Sequence, residues 1–93
     1  MVSWVYIFRC ADGSFYTGCT TNLERRHDQH ARGNVGYTAK RKPLELVWTE
    51  EFANLDDAAA FEKQVKGWSR AKKEALIRGD WPEIQRLARK RKK

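Results

Sequence analysis

The chain has no apolar run approaching the roughly 20 residues of a membrane span. The stretch MVSWVYIFRC at its start is too short and too interrupted to serve as a signal peptide. A cytoplasmic protein is therefore expected. Cysteine is scarce: Cys10 and Cys19 make no disulfide scaffold, and they stand too far apart in the chain for the closely spaced Cys pair of a structural zinc site. Both are expected as buried free thiols. No segment resembles a helix built to read the major groove. With 93 residues there is room for one modest core and no second domain.

What the chain does have is aromatic side chains and positive charge. Eleven aromatics, four of them tryptophan, are spread along its length and argue against disorder. Nineteen Lys and Arg against twelve Asp and Glu leave a formal charge of +7, which favours a polyanionic partner, nucleic acid or an anionic membrane surface.

The first two elements form a hairpin. SWVYIFRC, 3–10, and SFYTGC, 14–19, carry the aromatic and β-branched residues of strands around the turn Ala11-Asp12-Gly13. A two-residue loop would pair Phe8 with Thr17 and put Tyr6 and Tyr16 on opposite faces. A three-residue loop with a left-handed Gly13 pairs Phe8 with Tyr16, so that Tyr6, Phe8, Tyr16 and Gly18 share one face. The second register is preferred because it places glycine where positive φ is needed.

Thr20, Thr21 and Asn22 offer caps for a helix over LERRHDQHAR, stopped by Gly33. Its sheet-facing stripe is Leu23, Arg26, His27 and His30, of which only Leu23 is apolar. His27 is expected as a satisfied, half-buried histidine. Residues 33–43 read as an exposed basic loop, and LELVWTEEF, 44–52, as a third strand alternating on Leu44, Leu46 and Trp48. Asn54 or Asp56 caps a helix with Ala58, Phe61, Val65 and Trp68 on its core face and Glu62 on the shoulder. Ser69 caps a shorter helix ended by Gly79, and Asp80 with Glu83 opens a last one carrying Ile84, Leu87 and Ala88. Trp68 and Trp81 are expected in the core. The pattern predicts an α+β domain, residues 1–88, with a three-stranded antiparallel sheet flanked by helices, and a basic tail over 89–93.

Trp4-Val5-Tyr6 and Tyr16-Thr17-Gly18, followed by NLERRHDQH, make the sequence resemble the GIY-YIG endonuclease superfamily, closest to its small stand-alone bacterial members. Trp4 stands where that pattern has glycine, and Thr17 where it has an aliphatic residue. The resemblance implies a metal-dependent DNA endonuclease using Mg2+ or Mn2+, structure-selective for branched, flapped or single-stranded DNA in repair or recombination. It implies a core set of Tyr6, Tyr16, Arg26 and Glu62, with His30 and Tyr37 in support and Glu62 as metal ligand. Lys40, Arg41 and Lys42 would contact phosphates without reading sequence. In that set Tyr16 would orient or deprotonate the attacking water with Tyr6 beside it; a phenol with the ordinary pKa near 10 would act as base only where Arg26 and the metal favour phenolate.

Simpler roles exist for the same residues. Strand tyrosines usually pair across a hairpin, and Glu62 has the spacing for a helical ion pair with Lys66. A non-catalytic nucleic-acid-binding module or adaptor, on DNA or RNA, is the rival reading; a protein-interaction module using exposed aromatics ranks third.

Overall fold

The computed structural model describes residues 2–31 and 43–91, without the side chains of residues 29–31 and 89–91. Strand β1, Ser3–Arg9, pairs antiparallel with β2, Phe15–Thr20, on one side and β3, Glu45–Phe52, on the other, giving the order β2-β1-β3. Four helices complete the fold: α1, Leu23–Ala31; α2, Leu55–Lys66; α3, Arg70–Arg78; and α4, Trp81–Arg91. This is the α+β architecture expected from the sequence. No helix among the described residues is long and apolar enough to cross a membrane.

The hairpin adopts the three-residue register. Gly13 N–H donates to the Cys10 carbonyl at 2.9 Å, Gly13 has φ of 86°, and Phe8 faces Tyr16 while Tyr6 faces Gly18. Side chains alternate along β1, which divides the molecule into two layers. Val5 and Ile7 point one way. Ile7 packs with Val65 of α2, Ala75 and Leu76 of α3 and Ile84 of α4, with Phe15, Val47, Trp48, Phe61 and Trp68 around them. Tyr6 and Phe8 point the other way, toward α1, where the Phe8 ring lies 5.5 Å from the His27 imidazole.

The caps follow the sequence. Asn54 accepts from the Asp57 N–H at 2.8 Å, Ser69 from Lys72 at 3.3 Å and Asp80 from Glu83 at 3.2 Å, and Gly79 ends α3 with φ of 74°.

Two expectations need correction. The alternation Leu44, Leu46, Trp48 is broken by a bulge: Ile7 faces Trp48 and Phe8 faces Leu46, so Val47 is the extra residue. Trp48 accordingly turns to the three-helix core, while Leu46 lies on the α1 face, 36% exposed. Trp81 is 50% exposed, because it is the first residue of α4 and lies beyond the core that Ile84 enters one turn later.

Candidate functional site

The polar stripe of α1 is accounted for by what it meets. Asn22 accepts from the Arg25 N–H at 3.0 Å and starts the helix directly after β2, which fixes where Arg26 falls relative to the hairpin. From there the Arg26 guanidinium donates to the Tyr6 hydroxyl at 3.4 Å. An aromatic sheet surface ending in a hydroxyl thus receives a helix that an aliphatic surface would reject.

Tyr6 is fully buried. Its ring reaches across the hairpin to lie over Gly18, where any Cβ would overlap the phenol, falling 2.6 Å from its Cζ. The Tyr16 ring is 6.4 Å from that of Tyr6, in the same layer. Burial pushes the Tyr6 phenol up to about 12; the Arg26 hydrogen bond and charge pull the other way without overcoming it. Tyr6 is therefore a neutral phenol at physiological pH. Desolvation of the anion outweighs one partly exposed guanidinium.

Glu62 comes from the opposite layer. Cys19 pairs with Val5 and so points away from the Tyr6 face. Its thiol donates to Glu62 Oε1 at 3.4 Å, while Lys66 Nζ lies 2.7 Å from Oε2. Burial, and after it the carboxylate charge and bond, push the Cys19 thiol up; the bond to Glu62 likewise raises the Lys66 ammonium. The Glu62 side chain is only 18% exposed, so the helical ion pair exists but not as a solvated surface pair. Tyr6 lies within electrostatic reach of Arg26, Tyr16 and Glu62 together. Because β2 is an edge strand, residues of both layers meet around it.

The structure thus brings Tyr6, Tyr16 and Arg26 together directly and Glu62 to the same edge. His30 lies on α1 but its side chain is outside the described residues, as are Tyr37, Lys40, Arg41 and Lys42. Of the two neighbours of Glu62, one escaped sequence reasoning. Lys66 was legible from its spacing, but Cys19 was expected as a buried thiol; it is half-buried, and only the strand alternation after Gly18 signals that it faces the other layer. Arg25, an exposed residue of α1, lines with Arg26, Thr20, Thr21 and Asn22 a cavity of about 300 Å3.

A divalent cation would find one hard oxygen donor here, Glu62. No cluster of three His, Cys, Asp or Glu side chains exists among the described residues. That donor set fits Mg2+ or Mn2+ held by a single carboxylate together with substrate phosphate and water. Lys66 would have to give way.

Known proteins share this arrangement of elements. The family model described as the GIY-YIG catalytic domain matches residues 2–75. A UPF0213 protein of Natronomonas pharaonis is 48% identical over 75 residues, spanning 80% of this chain and 88% of that protein. Another, from Halalkalibacterium halodurans, is 46% identical over 78 residues, 83% of each chain. Among solved structures, the solution NMR structure of a UPF0213 protein from Bacillus halodurans has a TM-score of 0.56 at 46% identity, covering 83% of both chains. That of a protein from E. faecalis has a TM-score of 0.61 at 36% identity, covering 85% of both.

Proposed function

This chain belongs to the GIY-YIG family, and from that premise we propose that it binds nucleic acid at the β2 edge and hydrolyses a phosphodiester bond there. The observation that carries the reading is the Arg26–Tyr6 bond, which holds a guanidinium on the tyrosine face of the sheet in a protein of strongly basic charge. Among the described residues this guanidinium rests on a neutral hydroxyl, which leaves its charge for an anion.

In the proposed reaction Arg26 grips a non-bridging phosphate oxygen and offsets the charge that builds on it. Tyr6, neutral and buried, positions Arg26 and is not the base. Tyr16, half-buried in the same layer, orients the attacking water through its phenol oxygen. Water adds to phosphorus and the bridging P–O bond breaks, leaving a phosphomonoester and a hydroxyl. Glu62 would hold the divalent ion, which when bound supplies Lewis-acid stabilisation of the phosphate. His30, one turn beyond Arg26, would carry the proton onward, while Tyr37, Lys40, Arg41 and Lys42 would add contacts from the basic loop. DNA is the proposed substrate, in repair or recombination, with RNA the other candidate.

A second reading, favoured by the ion pair that already occupies Glu62, is a nucleic-acid-binding module that does not cut. Arg26→Ala separates the roles of the face. Under the proposal it lowers cleavage of end-labelled DNA with Mn2+ by about 10²-fold or more. A variant that cuts at the wild-type rate would sink the assignment of Arg26.

A further inference from the structure

Beside the arginine-lined cavity lies a second hollow of about 580 Å3, walled by Trp4, Leu23, His27 and Leu46. The two share Thr21 and Asn22 on their rims. None of the four walls takes part in the reaction proposed above. Trp4 precedes Tyr6 by two residues on β1 and so belongs to the same face. Leu46 is on that face only because of the β3 bulge, which sets it opposite Phe8. Its volume falls within the range of about 300–1,000 Å3 typical of small-molecule sites.

The chemistry of the pair is complementary to one ligand class. Two guanidiniums line the smaller cavity, and an indole, an imidazole and two leucines wall the larger, with the Glu24 carboxylate at its border. A nucleotide presents an anion joined to a flat, largely apolar ring in that same order. A base inside a duplex is already stacked on its neighbours, so the ring that enters must be unpaired.

We infer that the hollow of Trp4, Leu23, His27 and Leu46 receives one unpaired nucleobase of a strand whose adjoining phosphate lies at Arg25 and Arg26. This rests on the reading of Arg26 as a phosphate ligand and adds the form of strand it serves. The occupant is argued from the charge of the neighbouring cavity and from continuity with the Tyr6 face. Trp4 and Leu46 are then specificity-determining residues.

The test is binding without chemistry, in chelator, of a fluorescently labelled single-stranded thymidine 12-mer and a fully abasic strand of equal length and charge. Wild-type protein should bind the base-bearing strand at least five-fold more tightly, the low end of what stacking of one base contributes. Trp4→Ala should remove that preference and leave abasic affinity unchanged. Leu46→Glu, at an exposed position that does not threaten folding, should remove it too. Arg26→Ala should weaken both strands alike. Equal wild-type affinity for the two strands overturns the inference, as does a preference that survives Trp4→Ala and Leu46→Glu. Thymidine monophosphate that displaces the strand at equal molar concentration would make the occupant a free nucleotide and overturn it likewise. Should Arg26→Ala change neither affinity, the phosphate reading itself fails; should it weaken both while the base adds nothing, only the base hollow fails.

Discussion

Gly18 and Tyr6 work as a unit, for a reason unlike that of the other two glycines singled out by the backbone. Gly13 and Gly79 need positive φ; Gly18 needs space, because the Tyr6 ring occupies the position of its Cβ. Gly18→Ala should therefore destabilise the fold by about 1–3 kcal/mol through overpacking, read as a lower denaturation midpoint at unchanged slope. It should also displace the phenol on which Arg26 rests. Tyr6 supplies a pH test. Its folded pKa of about 12 lies above the unfolded value near 10. The native state therefore holds the proton more tightly, and the contribution is present below pH 10 and lost as pH rises toward 12. Wild type should lose about 2–3 kcal/mol relative to Tyr6→Phe across that window, measured by comparing their unfolding free energies at successive pH values. At this scale the sequence placed Tyr6 and Tyr16 on one face, because the turn geometry sets which strand residues share a face, and the Asn22 cap then sets where Arg26 falls. The neutrality of Tyr6 was not legible. It depends on how completely α1 covers the ring, and no spacing rule reports that.

Among the elements, α1 was the puzzle, since three of the four residues that its spacing turns toward the sheet, Leu23, Arg26, His27 and His30, are polar. The resolution is that the sheet surface beneath is aromatic and hydroxylated: Phe8 stacks on His27 and Tyr6 accepts from Arg26. A helix held by so few apolar contacts depends on its start. Asn22→Ala should cost about 1 kcal/mol by leaving the Arg25 N–H uncapped. It should also speed hydrogen exchange through the first turn of α1, a readout that a loss confined to the core would not give. The β3 bulge shows the opposite limit of sequence reading. Leu44, Leu46 and Trp48 keep period two, and the apolar Val47 among them does not by itself reveal which residue is extra. Pairing with β1 decides it, and with it the face on which Leu46 lies. The helices α2, α3 and α4 were easier, because caps and apolar spacing agree; Trp81 departs only through its place at the end of its helix.

For the molecule as a whole, the two layers divide the labour. Ile7, Val65, Ala75, Leu76 and Ile84 form the core on one side of the sheet. Tyr6, Tyr16 and Arg26 gather on the other, and Glu62 reaches them around the β2 edge. Substitution of Arg26 or Glu62 should consequently spare the core and report on function. The positive charge of the whole chain favours a polyanionic partner, but attraction does not by itself imply cutting. The most direct test of the central claim is cleavage of end-labelled single-stranded, duplex, flap and four-way-junction DNA with Mg2+ or Mn2+, beside Glu62→Ala and a chelator control. The account predicts cutting of at least one substrate that vanishes with chelator and with Glu62→Ala while binding survives in the variant. Tight binding by the wild type with no cutting of any substrate, or cutting indifferent to Glu62, would contradict it.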